Sequence, residues 1–226
     1  MRVLTWNLFH GRSVPSAGRE LATEFAARLA AWEWDAALLQ EVPPWWPDLL
    51  ARAAGADHRT ALTSRNPGLA VRRAVALRWP DLIKSNGGGC NAILARETIV
   101  EHRTVRLRLW PERRVAQLAR LSDGTCLVNF HGSARSTLAE AELERLWEWA
   151  LAWAGGAPLL LGGDLNLRSP QAPDPDIVHV AERDVDHIFA RGLVPSEPPR
   201  LLDRHAVVSN REVELSDHLP LLASLR

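Results

Sequence analysis

A chain of 226 residues, 46% hydrophobic and 24% charged, has the make-up of an ordinary globular protein with a sizeable core. Its 27 basic residues balance 27 acidic ones, which excludes the broad basic excess of a protein that grips nucleic acid by charge alone. No apolar run approaches the roughly 20 residues of a membrane-crossing helix, and Met1 to Asn7 lack a signal-peptide pattern. A cytoplasmic monomer with one domain over 1–226 and no evident protein partner is the expectation.

The elements alternate at first and then run as strands. Residues 2–8 read as a strand, and 17–34 as a helix with Leu21, Phe25, Leu29 and Trp32 at helical spacing. Residues 36–40 form a short apolar strand. A helix follows over 45–54, with Pro43 or Pro44 in its first turn. Strands are expected at 58–62, 69–77, 91–96, 99–109, 114–122 and 126–131, with Asp123-Gly124 as a hairpin turn. An amphipathic helix occupies 136–154, carrying Leu143, Leu146, Trp147, Ala150 and Leu151 on one side. Residues 158–163 are a buried strand, 169–182 a proline-rich loop, and 184–190 and 219–225 the closing strands. Such a pattern suits sheets with helices on their outer faces.

Polar residues gather where apolar strands end. Asp164 and Asn166, two apart after an extended run, can project to one side; a carboxylate there orients a water and an amide fixes a phosphoryl oxygen, though Gly, Asp and Asn also make turns. Glu41 ends an apolar strand, where a carboxylate is costly unless paired or bound to a cation such as Mg²⁺; a helix N-terminal Glu is the bland alternative. Asp217-His218 precedes the last strand, and Asp186 is the carboxylate that would set the tautomer of His218. His187, on the opposite face of that strand, is read as packing or surface.

Seven segments in order then show a family likeness. They are Thr5-Trp6-Asn7, Leu39-Gln40-Glu41-Val42, Gly89-Cys90-Asn91-Ala92-Ile93-Leu94, Asn129-Phe130-His131, Gly163-Asp164-Leu165-Asn166, Asp186-His187-Ile188-Phe189 and Ser216-Asp217-His218-Leu219-Pro220. The chain resembles the endonuclease/exonuclease/phosphatase superfamily, which includes pancreatic deoxyribonuclease, apurinic/apyrimidinic endonucleases and neutral sphingomyelinases.

The resemblance implies a four-layered α/β sandwich, its two mixed, mainly antiparallel central sheets flanked by helices. It implies Mg²⁺ (or Mn²⁺) at Glu41, with Asn7 beside metal and phosphate and Asp217 as a second metal-site acid. Asp164 then activates water, Asn166 stabilises the transition state, and His218 with Asp186 contacts the phosphate. His131 falls near the leaving group, and Asn91 joins it and Asn166 as a substrate contact. The expected activity is a phosphodiesterase or nuclease acting by direct water attack on a phosphoester, nucleic acid among the candidate substrates. A phospholipid or inositol-phosphate phosphoesterase and a silent binding module of the same fold are the alternatives.

Other features carry less. The run Ser85-Asn86-Gly87-Gly88-Gly89 lacks the GxxxxGK[ST] pattern and reads as a connection bordering the site. Cys90 and Cys126 match no zinc spacing and read as buried thiols. Trp45, Trp46 and Trp110 read as packing rather than as base-stacking or lipid-inserting residues. Arg103, Arg106, Arg108, Arg113 and Arg114 read as a solvated sheet face rather than a basic rim. The chain has no tyrosine, so a family role filled by Tyr elsewhere falls to His131 or lapses.

Overall fold

The computed structural model describes residues 1–63, 68–80, 82, 89–110 and 112–226. Most of the glycine-rich connection (85–88) lies outside them, as does Pro111. In chain order the elements are β1 (Arg2–Asn7), a 3₁₀ turn (Phe9–Gly11), β2 (Ser13–Val14), α1 (Ala22–Ala31), β3 (Ala36–Val42), α2 (Pro47–Ala54), β4 (Asp57–Leu62) and α3 (Leu69–Arg78). There follow β5 (Cys90–Ala95), β6 (Ile99–Arg108), β7 (Arg114–Leu121), β8 (Cys126–Asn129), α4 (Ser136–Ala154) and β9 (Leu159–Asp164). The chain ends with β10 (Ile177–Arg183), β11 (Asp186–Arg191), β12 (Pro195–Leu201), β13 (His205–Val208), β14 (Arg211–Leu215) and β15 (Leu221–Leu225).

Two six-stranded sheets form the centre, in the orders β12-β15-β1-β3-β5-β4 and β10-β11-β9-β8-β7-β6. Each holds one parallel pair at its middle, β1 with β3 and β8 with β9, and is otherwise antiparallel. Both faces of these central strands are covered, so they read as continuous apolar runs such as Ala36-Ala37-Leu38-Leu39. Val3, Leu38, Ile93, Leu127, Leu160, Ile188 and Leu221 fill the layer between the sheets. On one outer face Phe25 and Leu29 of α1 and Leu50 of α2 pack with Leu4, Trp6 and Leu39. On the other, Leu143, Leu146, Trp147 and Ala150 of α4 pack with Phe130, Leu161 and Phe189. The result is the four-layered α/β sandwich.

Aromatic contacts lock the first face: Trp6 lies 5.0 Å from Phe25 and 5.2 Å from Trp32, and Phe25 lies 5.4 Å from Trp46, measured between ring centroids. Trp46 is thus core, while Trp110 is 72% exposed. Both cysteines are buried and free.

Several elements differ from the sequence reading. The segment expected as a strand at 69–77 is α3; its Ala, Leu and Arg are strong helix formers, and only Ala76 is buried. α1 is shorter than 17–34: Gly18 takes a left-handed φ of 65°, and Trp34 turns back so that its Nε1 donates to the Leu29 carbonyl at 2.9 Å. Pro47, rather than Pro43 or Pro44, opens α2. The loop expected over 169–182 gives way to β10 once its last proline is passed. β12 carries Pro195, Pro198 and Pro199, which removed it from the expected strands; it lies at a sheet edge, where a missing N–H costs least. A third small sheet, β13-β14-β2, was not expected. No helix among the described residues is long and apolar enough to cross a membrane.

Candidate active site

The C-terminal ends of β1, β3 and β9 reach the same end of the sandwich, and they deliver Asn7, Glu41 and Asp164. Asp186 is the residue paired with Asp164 across β9 and β11. The turn before β15 adds Asp217 and His218. The cleft they line has a volume of about 730 Å³ and also holds Phe9, His10, Arg12, Arg113, Arg114, His131 and Asn166.

Backbone constraint aims these groups. Eight described non-glycine residues have positive φ, and five of them, Phe9 (48°), His10 (54°), Glu41 (50°), Asn166 (53°) and Ser216 (70°), lie in or beside the cleft. Such conformations cost energy and persist where the surroundings enforce them. Gly163 holds φ at 146°, and a Cβ there would lie 1.8 Å from the Phe130 carbonyl oxygen. Only glycine lets β9 run that close to the chain leaving β8, and so sets Asp164 beside His131.

Asp164, 2% exposed, accepts from Asn7 Nδ2 at 2.9 Å and from the Asn166 N–H at 3.1 Å. Asn7 Oδ1 accepts from the Phe9 N–H at 2.9 Å, which fixes the amide's orientation. Asn166 Nδ2 donates to the Gly132 carbonyl at 3.0 Å. His218 Nδ1 meets Asp186 Oδ2 at 2.8 Å, and its Nε2 faces Asp164 Oδ2 at 3.8 Å. Ser216 braces this turn: its Oγ donates to the Asn7 carbonyl at 2.6 Å and accepts from the His218 N–H at 3.1 Å. Trp6 Nε1 donates to the His218 carbonyl at 3.1 Å, tying the turn to the core.

The buried acids raise one another's basicity. Burial, then the charges of Asp164 and Asp217, push the Glu41 carboxyl up to about 7. Burial raises Asp164 too, against His218 and the bonds from Asn7 and Asn166. Burial alone would lower the His218 imidazole, but its bond to Asp186 and the charges of Asp186, Asp164 and Asp217 raise it to about 9. His131 is different. Burial, then Arg114, His10 and His218, hold it well below the usual range, so it is neutral. Its Nε2 lies 3.5 Å from Asp164 Oδ2 and 3.9 Å from Glu41 Oε1.

This crowding of carboxylates fits a bound divalent cation, which stabilises the ionised acids. Glu41 faces the cleft and Asp217 is half-exposed beside it. Asp164, Asp186 and His218 also bring one ligand atom each within 4.8 Å of one another. There the 2.8 Å bond between His218 Nδ1 and Asp186 Oδ2 occupies one ligand atom of each, so it reads as an oriented imidazole and not as a cation cage.

Asn91 is not brought into the cleft. It is fully buried on β5, where its Nδ2 donates to the Val115 carbonyl at 3.1 Å, and the neighbouring strands close it off from a substrate. Most of the arginine stripe is paired or solvated, Arg103 with Glu101 and Arg108 with the buried Glu142. Arg113 and Arg114 line the cleft, Arg114 in an ion pair with Glu112 at its edge.

Two groups escaped the sequence reading. His10 lies in the cleft with its Nε2 3.1 Å from Glu41 Oε2; the His-Gly pair just past the strand ending in Asn7 was its only signal. The second is a polar seam beneath the site. Gln40 Nε2 donates to Asn129 Oδ1 at 2.8 Å, and Asn129 Nδ2 donates to the carbonyls of Leu39 (2.9 Å) and Ala92 (3.0 Å) and lies 3.3 Å from Gln117 Oε1. It joins the two sheets directly under the cleft.

Fold and site together define a phosphoester-hydrolase architecture. The profile of the Endonuclease/Exonuclease/phosphatase family matches residues 4–218, and the chain belongs to that family. Among solved structures it is similar to a mannosyl-6-phosphatase from Bacteroides thetaiotaomicron VPI-5482, with TM-score 0.75, 16% identity, and 100% of this chain and 99% of that one covered. It is similar to an endonuclease/exonuclease/phosphatase protein from Beutenbergia cavernae DSM 12333 (TM-score 0.73, 19% identity, 100% and 71% covered). TDP2 from Caenorhabditis elegans is a third (TM-score 0.71, 17% identity, 100% and 74% covered). No curated protein matches the sequence.

Proposed function

We propose that this protein is a divalent-metal-dependent phosphoesterase, a phosphodiesterase or nuclease, that cleaves P–O bonds by direct attack of water. The observation that carries this is the convergence in one cleft of Asp164, held by Asn7 and Asn166, with His218, which the buried Asp186 orients from behind.

Asp164 accepts the proton of the attacking water; its two donors leave it an oriented base, and its raised basicity suits the task. His218, kept protonated by Asp186, donates from Nε2 to a phosphoryl oxygen as negative charge builds on it. Asn7 and Asn166 hold Asp164 in place. Neutral His131 lies at the leaving-group side, and Arg113 and Arg114 face the substrate's remaining anionic groups. Glu41, Asp217 and the Asn7 amide would hold Mg²⁺ or Mn²⁺, which supplies charge neutralisation at the phosphoryl and leaving oxygens. No covalent enzyme intermediate is needed.

The reading is tested on bis-(p-nitrophenyl) phosphate, p-nitrophenyl phosphate and plasmid DNA, each with Mg²⁺, Mn²⁺ or EDTA. Metal-dependent turnover of the diester or DNA, abolished by EDTA, supports it; turnover unaffected by EDTA refutes the metal role. Faster turnover of the monoester would instead make it a phosphomonoesterase.

A further inference from the structure

On the far side of the second sheet, away from the catalytic cleft, three metal-ligating side chains converge through an irregularity in β10. Residues three apart in a strand normally project to opposite faces. Here the pairing of β10 with β11 slips between His179 and Ala181: His179 opposes Phe189, Ala181 opposes Ile188 and Glu182 opposes His187. One extra residue enters β10 at this bulge. Val180 and Ala181 both turn into the layer between the sheets. His179 and Glu182 therefore emerge on the same outer face, opposite His187.

The two imidazoles are already placed as ligands. His187 is fully buried, and its Nε2 donates to the Leu167 carbonyl at 2.6 Å, since a carbonyl only accepts. Its Nδ1 then carries the lone pair, and that atom lies 3.1 Å from His179 Nε2. A second ring nitrogen tied to a backbone carbonyl is the arrangement that orients metal-bound histidines. His179 is held flat on Phe189, ring centroids 4.3 Å apart and 13° between planes. Glu182 Oε2 lies 3.8 Å from His179 Nδ1, and one ligand atom from each of the three residues falls within 4.8 Å of the others. Nitrogen ligands of a tetrahedral zinc ion, each about 2.0–2.1 Å from the metal, stand roughly 3.3 Å apart. The histidine pair is at that separation, and Glu182 is exposed and free to close on the ion.

We propose that His179, His187 and Glu182 form a second metal site, selective for a borderline transition ion such as Zn²⁺ over Mg²⁺. Two imidazoles and one carboxylate suit zinc, and Mg²⁺ prefers oxygen ligands alone. Bound there, the ion clamps β10 to β11 one residue from Asp186, on the opposite face of the strand. Its role is structural: it stiffens the strand that orients His218.

The test is zinc content and affinity after dialysis against Zn²⁺ with excess Mg²⁺, for the wild type, His179→Ala and Glu182→Gln. Both substitutions are at exposed positions and spare the core, unlike a change at His187. The wild type should hold one zinc equivalent more than His179→Ala, in which affinity at this site falls on the order of 100-fold or more; Glu182→Gln should weaken it about ten-fold. Zn²⁺ should raise the melting temperature of the wild type, and this added rise should vanish in His179→Ala. Zinc content, affinity and thermal shift that are the same in all three proteins would overturn the proposal, as would a wild type that binds no zinc.

Discussion

Asp164 illustrates how a residue's surroundings assign its chemistry. It is buried, it accepts two hydrogen bonds, and both donors come from residues set by strand ends. Asp164→Asn keeps the volume and removes the basic oxygen, so turnover should fall about 10²–10⁴-fold while the circular dichroism spectrum is unchanged. His218 makes a pH prediction. Its folded pKa, about 9, lies above the unfolded value near 6.5. The protonated form is the stabilised one, so its contribution to stability is full below about 6.5 and is lost as pH rises toward and through 9. Turnover should likewise decline through pH 9 as Nε2 loses its proton. In His218→Asn, turnover should be low at all pH and this alkaline decline absent, which a pH–rate profile reads directly.

Glu41 titrates with the opposite consequence for function. Its folded pKa, about 7, also exceeds its unfolded value of 4.5. The metal-free protein therefore loses stability as pH rises from about 4.5 to 7, by roughly 3 kcal/mol at most. Glu41→Gln should flatten that loss in metal-free thermal melts and abolish the stabilisation that Mn²⁺ gives the wild type. Sites that gather unpaired carboxylates for a cation are expected to trade stability in this way.

At the scale of the element, the site depends on strands that approach more closely than side chains ordinarily permit. Gly163→Ala forces a Cβ onto the Phe130 carbonyl at a φ that L-residues avoid, so a loss of roughly 3 kcal/mol or more is predicted from denaturant unfolding. Asn129→Leu would remove the hub of the polar seam and take one buried partner each from Gln40 and Gln117, a cost of about 2–4 kcal/mol.

Elements also show what the sequence could reveal. The runs ending in Asn7, Glu41 and Asp164 were legible because a buried parallel strand is uniformly apolar and its polar terminus stands out. α3 was misread because Leu69, Val71, Val75 and Leu77 alternate with other residues while mostly exposed, and alternation without burial carries no strand signal. Asn91 sat in a segment like the family's, but the segment says nothing of which face an amide takes, and this one turned into the inter-sheet layer. The bulge at Val180 was not visible either, since register slips are decided by the partner strand.

For the whole molecule, the sandwich explains why the sequence-distant residues 7, 41, 164, 186, 217 and 218 meet. The parallel pair in each sheet points its carboxyl ends the same way, and β11 and β15 return beside them. Neutral net charge and a cleft with only a few arginines suit a substrate held by local phosphate contacts, not by a long-range basic field.

Turnover of the preferred phosphoester by Asp164→Asn at saturating Mn²⁺, with Mn²⁺ affinity measured by calorimetry on the same protein, separates the water-activating role from the metal-holding one. With Asp164 handling water and Glu41 holding the ion, turnover should fall by about three orders of magnitude while Mn²⁺ affinity stays within a few-fold of wild type. Turnover close to wild type with Mn²⁺ bound would contradict it, because the carboxylate at the centre of the site would then have no part in the chemistry.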